Sequence, residues 1–213
     1  MINIELITDT GPKRLQNEDS TLIIKNALGH SILVVADGMG GHNAGEVASK
    51  MACDIVEEEF LKIDKEIRYQ DFIKMVIEKA NREIYKSSLL NSSFSKMGTT
   101  ISLAIFDGEK IFTGHVGDSR IYFINDKKII QITKDHTLVQ AMVDAGTLKQ
   151  EDVKTSKLKN VLVQALGTSK AITIEIKEIK LPKYFLLFLC SDGLTGEVSD
   201  LKIKEIMNQE IDL

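Results

Sequence analysis

Apolar and β-branched residues gather in short runs along the chain, at 2–7, 21–24, 32–36, 99–106, 110–116, 120–124, 129–132, 172–179 and 185–190, and each run predicts a strand. Within 172–179, Ile172, Ile174 and Ile176 alternate with Thr173, Glu175 and Lys177, the period-two pattern of a strand with one wet face. The runs 32–36 and 185–190 are apolar throughout. Burial on both faces is implied, which predicts that these two strands lie at the centre of a layered structure. Asp107-Gly108 and Asn125-Asp126 fall between adjoining runs at tight-hairpin spacing, so antiparallel pairing is expected.

Two segments change to helical period, first Val47, Ala48, Met51, Ala52, Ile55, Val56 and Phe60, then Phe72, Ile73, Val76, Ile77, Ala80, Ile84 and Tyr85. Both stand between the third and fourth strand runs. Helices grouped in a block between blocks of strands favour an α+β layered fold over alternating βαβ winding.

Length and composition narrow the function. The chain has 213 residues, 43% hydrophobic and 27% charged, enough apolar material for one globular domain over 1–213. Lys and Arg total 27 against 31 Asp and Glu, a net charge of −4, the wrong sign for a protein that draws its affinity from phosphate backbones. Nucleic acid is therefore not an expected partner, and a two-metal nuclease is a distant alternative. Cys53 and Cys190 sit in apolar stretches without zinc-like spacing and are expected as buried free thiols. The longest apolar run, 185–190, is too short to cross a bilayer and no charged leader opens the chain, so a cytoplasmic protein without membrane contact is expected.

Candidate chemistry lies where acids follow apolar strands. Asp37-Gly38 follows 32–36 and Asp192-Gly193 follows 185–190, so each carboxylate sits at the lip of a core, where it needs a partner or a cation; oxygen donors suit magnesium, manganese or calcium. Gly38, Gly40 and Gly41 lead toward a helix and would let backbone approach a ligand. Arg14, one of only four arginines, precedes Glu18 and Asp19, while Asp118 lies in a glycine-containing turn next to Arg120. Asp107-Gly108, by contrast, reads as a plain turn.

Taken in order, TDTGPKRLQNED at 8–19, VVADGMGGHNAGE at 34–46, MGTT at 97–100, GHVGDSRIY at 114–122, KDHT at 134–137, VQALG at 163–167 and CSDGLT at 190–195 resemble the bacterial branch of the metal-dependent protein serine/threonine phosphatases, type 2C. The resemblance spans essentially the whole chain. It implies a four-layer αββα sandwich of two antiparallel sheets flanked by helices. The implied activity is hydrolysis of phosphoserine and phosphothreonine by a metal-activated bridging water, in opposition to a cognate kinase and on phosphoproteins that include its targets. Carried onto matching positions, the resemblance makes Asp37 a bridge between two Mn2+ or Mg2+ ions, with the Gly38 carbonyl and Asp192 as further ligands. Glu18 and Asp19 would hold coordinated waters, Asp118 with Asp192 a third and weaker ion, and Arg14 the substrate phosphate. Arg14, Asp37 and Asp192 are thus the expected catalytic set, and 134–166 matches the family's variable flap.

Two departures accompany the resemblance. Met39 follows Asp37-Gly38 where many eukaryotic relatives have histidine; His42 is near in sequence but suits a surface or capping position, and His30, His115 and His136 read as structural. Family members also continue to a strand opening with Asp-Asn, whose aspartate is a ligand, whereas the sequence here ends at Asp212-Leu213. A C-terminally shortened catalytic domain is therefore expected, the alternative being a non-catalytic phosphoprotein-binding or regulatory pseudophosphatase.

Overall fold

The computed structural model describes residues 3–40, 44–181 and 185–210. The larger sheet is built from β1 (Asp19–Lys25), β2 (Ser31–Met39), β3 (Gly98–Thr99), β4 (Ile101–Phe106), β5 (Lys110–Val116) and β8 (Glu175–Lys180). Its order is β1-β2-β4-β5-β8, with β3 paired to the C-terminal end of β2, and every pairing is antiparallel. The smaller sheet has the order β7-β6-β9, from β6 (Arg120–Ile124), β7 (Ile129–Gln131) and β9 (Leu186–Cys190). The expected turns close two of the hairpins. Asp107 Oδ1 accepts from the Glu109 and Lys110 amides, and Asn125 Oδ1 does the same for Lys127 and Lys128.

Side-chain alternation sorts the core into layers. Along β4, Leu103 and Ile105 face one way and Ala104 the other. On the first side lie α1 (Ala44–Leu61) and α2 (Tyr69–Leu90), which cover the larger sheet with Ala48, Ala52, Val56 and Phe60 and with Ile73, Val76, Ile77 and Ile84. Alanines at four-residue spacing on α1 bring its backbone close to β1 and β2. On the second side, Ala104 and Ile111 meet Ile121 and Phe123 of β6 and Leu187 and Leu189 of β9, forming the layer between the sheets. Tyr122, Ile124 and Cys190 point out of the smaller sheet onto Ile203 and Met207 of α5 (Asp200–Glu210). The result is the expected helix–sheet–sheet–helix order.

Three local expectations need correction. Residues 3–7 form no strand: Ile7 is 91% exposed, and among the described residues nothing hydrogen-bonds alongside them, so apolar content alone does not hold them extended. Residues 172–174 likewise precede β8, because β5 offers partners only from His115 to Lys110. β9 does pack on both faces, yet among the described residues it pairs only with β6 and lies at the margin of the smaller sheet, not at its centre. A continuous apolar run reports two covered faces; it says nothing about lateral neighbours.

Between β7 and β8 the chain leaves the sheets. It forms α3 (Leu138–Asp144), capped by Thr137 Oγ1, and a 3-10 turn (Gln150–Thr155), and it is closed at its base by a bridge between Thr137 and Leu162. Its far end returns through Leu166, which pairs with Thr99, and Gly167, whose amide donates to the buried Asn81 Oδ1 at 2.8 Å. The far root of the excursion is thus fastened to the larger sheet and α2.

Contact between α2 and β5 depends on Gly114, where an added Cβ would lie 2.3 Å from Ile73 Cγ2 and 2.9 Å from Ile77 Cδ1. Gly114→Ala is expected to destabilise the fold by about 1–3 kcal/mol through overpacking, measured as a lowered urea midpoint at unchanged m-value.

Candidate active site

Three carboxylates from separate elements converge on Asp37. Asp37 sits near the end of β2, and the β1–β2 register places Asp19 directly opposite it. Asp118 is carried by the turn joining β5 to β6. Asp192 opens α4 (Asp192–Thr195), two residues after β9 ends. The Asp37 carboxyl lies against those of Asp19 and Asp192, with the charge of Asp118 also within reach. Ser191 Oγ donates to Asp19 Oδ2 at 2.7 Å, tying the end of the smaller sheet to the first strand of the larger one.

The backbone around Asp37 is fully engaged. Its N–H donates to Thr100 Oγ1 at 2.9 Å, and its carbonyl accepts from the Thr100 amide at 2.9 Å and from Thr99 Oγ1 at 3.0 Å. The next amide, Gly38 N–H, donates to the Glu18 carbonyl at 3.1 Å. A Cβ at Gly38 would fall 2.1 Å from the Gly45 carbonyl oxygen and 2.5 Å from that of Glu18, so only glycine permits the end of β2, the start of α1 and the Glu18 segment to approach this closely. The Glu18 carboxyl in turn lies over Gly45, where a Cβ would be 2.7 Å from Oε1. Arg14 is exposed, and its charge reaches Asp19. Gly41 and His42 fall outside the described residues.

Burial and mutual repulsion dominate the electrostatics. Desolvation, followed by the charges of Asp19, Asp192 and Asp118, pushes Asp37 up to about 9. Asp118 is pushed up to about 7, first by burial and then by Asp192 and Asp135. Asp19 is raised by burial, a shift moderated by the hydrogen bond from Ser191. A concave set of oxygen donors that cannot all ionise together is what a hard divalent cation stabilises, so the donor chemistry fits magnesium or manganese.

The other residues flagged in the sequence divide clearly. Arg120 does not face this cluster with a free guanidinium: Nε and Nη2 grip Asp135 at 2.9 and 2.6 Å, and Nη1 donates to the Tyr122 hydroxyl at 3.0 Å. Both cysteines are buried and free, each thiol pushed up to about 12, chiefly by desolvation. Sequence reasoning did not single out Thr99, Thr100, Ser119 or Ser191 as supports, although each lies inside or beside a motif that it used. Their part depends on hydrogen bonds between segments, which no local pattern reports. His115, His136 and Glu175 form a further group whose ligand atoms lie within 4.8 Å of one another. Both His115 nitrogens, His136 Nδ1 and both Glu175 oxygens are already engaged, by Ser102, the Lys134 and Gly117 backbone and Lys177.

Comparison with known proteins agrees with this geometry. The family model described as protein phosphatase 2C matches residues 12–211. The chain is 32% identical over 212 residues to serine/threonine phosphatase stp of Listeria monocytogenes serotype 4b, covering 98% of this chain and 84% of that protein. It is 34% identical over 215 residues to protein phosphatase PhpP of Streptococcus pneumoniae serotype 2, covering 100% and 87%. Among solved structures, serine/threonine phosphatase Stp1 from Staphylococcus aureus superposes with a TM-score of 0.91 at 35% identity, covering 97% of this chain and 82% of that one. The catalytic domain of the serine/threonine protein phosphatase PstP in complex with two manganese ions gives 0.79 at 31% identity, covering 94% and 81%.

Because the folded-state value of Asp37 lies far above its unfolded one, its contribution to stability is present at low pH and is lost as pH rises toward about 9. In metal-free protein at pH 8, Asp37→Asn is therefore expected to raise Tm, by roughly 2–4 °C for each kcal/mol of repulsion removed, with the gain vanishing near pH 4. Scanning calorimetry in chelator across that range checks it, and a Tm unchanged or lowered at pH 8 would contradict the repulsion.

Proposed function

The chain belongs to the protein phosphatase 2C family and is a metal-dependent serine/threonine phosphatase using manganese or magnesium, and on that premise we propose how its residues divide the work. Asp37 and Asp192, with the Gly38 carbonyl, would hold two cations, and Asp118 with Asp192 would hold a third, weaker one. Glu18 and Asp19 would hold water at the site. The observation that carries this assignment is the convergence of Asp19, Asp118 and Asp192 on the buried Asp37. Cations bound there polarise both water and the phosphoryl oxygens, lowering the barrier to phosphate-ester hydrolysis.

The rest of the work falls to the chain. Arg14, on the exposed segment before β1, supplies a planar fork for two phosphate oxygens and so holds phosphorus beside the carboxylates. Neither cysteine acts as a nucleophile, since buried thiols pushed up to about 12 carry almost no thiolate at neutral pH. Thr99 and Thr100 hold the Asp37 backbone in place.

Substrates are phosphoproteins, and we assign them to the targets of a cognate serine/threonine kinase in the cytoplasm. No helix among the described residues is long and apolar enough to cross a membrane. A cavity of about 320 Å³ adjoins Asp118 and Asp192 and is bounded on its other side by Lys154, Lys159 and Asn160 of the 134–166 segment. That segment serves as a flap over the approach of the peptide, variable structure carried on a rigid scaffold.

Manganese-dependent hydrolysis of a chromogenic aryl phosphate tests the assignment. Asp37→Asn is expected to abolish it, and turnover near the parent rate would remove Asp37 from the bridging role. Arg14→Ala should raise KM for a phosphopeptide by about tenfold or more with a smaller fall in kcat, since a phosphate clamp contributes mostly to ground-state binding. An unchanged KM would exclude the clamp.

A further inference from the structure

The cavity beside Asp118 and Asp192 has two walls of opposite charge. Its inner wall carries Asp118, Asp135, Asp192, Glu197 and Asp200, and its outer wall, from the flap, carries Lys154 and Lys159. Three of the acids already have partners within the chain. Asp135 is gripped by the Arg120 guanidinium at 2.6 Å, Glu197 meets Lys13 Nζ at 3.2 Å, and Asp200 accepts from the Tyr122 hydroxyl at 3.2 Å. Asp118 and Asp192 are the two whose charge the cations proposed above would offset. The lysines are different. Elsewhere in the flap Lys134 pairs with Asp144 at 2.7 Å and Lys149 with Glu151 at 3.6 Å, but among the described residues Lys154 and Lys159 have no acid within ion-pair distance.

Backbone hydrogen bonds fix where both lysines stand. Lys154 belongs to the 3-10 turn Gln150–Thr155, and further turns follow it, with the Ser156 amide donating to the Val153 carbonyl and the Lys159 amide to that of Ser156, each at 3.3 Å. Just beyond, the Leu138 amide donates to the Val161 carbonyl at 2.7 Å and the Val163 amide to that of His136 at 2.9 Å, which joins the end of this run to the flap root. Residues 153–163 include Lys154, Lys157 and Lys159 and no acid. The turns bring only two of the three to the cavity, since Lys157 does not line it.

We propose that Lys154 and Lys159 form a second anion subsite, which selects phosphoproteins carrying an acidic or phosphorylated residue close to the phosphoresidue that is hydrolysed. The scissile phosphate belongs to the carboxylate end of the cavity. An extended peptide brings alternate side chains to one side about 7 Å apart, so a residue two to four positions away falls along the same cleft. Ammonium groups are point charges without the planar fork of arginine, and carboxylate and phosphate suit them alike. The chain as a whole carries −4, which opposes an anionic substrate, so this preference is local and runs against the overall field. It rests on the assignment of the carboxylates to phosphate-ester hydrolysis and names the substrates of that same site.

A neutral phosphothreonine peptide, varied one position at a time up to four residues on either side to Ala, Glu, Lys or a non-hydrolysable phosphonate, tests this with the full chain and manganese. At one or more positions Glu or the phosphonate is expected to exceed Lys in kcat/KM by about fivefold, the scale of exposed ion pairs, and the gain should shrink at high salt. A preference for the phosphonate alone would narrow the subsite to a second phosphate. Lys154→Glu or Lys159→Glu should each lower the Glu-to-Lys ratio and together reverse it, whereas Lys157→Glu, the same change of charge outside the cavity, should keep the parent's ratio. Both lysines are exposed, so charge reversal leaves the core untouched, and a ratio taken within each variant cancels any general change in turnover. Equal rates for Glu, phosphonate and Lys at every position, or the same loss of preference in Lys157→Glu, would overturn the subsite. Were no peptide hydrolysed, the catalytic assignment would fail, and the same peptides carrying a fluorophore and read by anisotropy would decide the subsite separately. Tighter binding of the Glu peptide than the Lys peptide, reversed in the double variant, upholds it; equal Kd overturns it.

Discussion

Repulsion among buried carboxylates is the constraint on which the rest of this structure depends. Asp37 is surrounded by Asp19, Asp118 and Asp192 in a setting where desolvation alone already disfavours its charge. A chain free to relax would separate these groups. It does not, because each is attached to a different stiff element: β1, β2, the β5–β6 turn and the start of α4. The layered core, with Phe60, Ile73, Ile77, Leu103 and Ile105 fully buried, supplies the free energy that holds those elements in place. Site and core are therefore coupled in one direction, since apolar burial far from the carboxylates keeps them close to one another.

The support is also polar and local. Thr99 and Thr100 saturate the backbone of Asp37, Ser191 ties Asp19 to the smaller sheet, and the close approach at Gly38 and Gly45 brings Glu18 alongside. None of these contacts needs to be strong by itself. What they contribute is geometry, because a carboxylate whose backbone is bonded on both sides cannot swing away from its neighbours when charge is added. Arg120 and Arg14 differ in what engages them. Its guanidinium is consumed by Asp135 and Tyr122, whereas that of Arg14 stays exposed beside Asp19.

Much of this was legible along the chain. Apolar runs located β5 and β6 residue for residue and the middle of β2, and the 3.6-residue period located the inner turns of α1 and α2, because those elements bury a face against the core and their side chains must follow the geometry of that face. Asp-Gly after an apolar run marked Asp37 and Asp192 as charges at the lip of a core, which is a local statement and survives folding. The failures share one cause. Residues 3–7 carry strand-like composition without a strand alongside, and β9 carries the run of a central strand while lying at the margin of its sheet, because lateral hydrogen bonding is a property of pairs of segments.

The sequence by itself determined which residues could carry the chemistry and the layers that would hold them, since residue type and hydrophobic period are set position by position. Only the tertiary structure decided that Asp19 lies opposite Asp37, that Thr100 and Ser119 meet at 2.7 Å, and that His115 stands between the Ser102 hydroxyl and the Lys134 carbonyl. Those facts join residues tens of positions apart, and their energies depend on distance and on exclusion of water, which come into being only when the sheets close on one another.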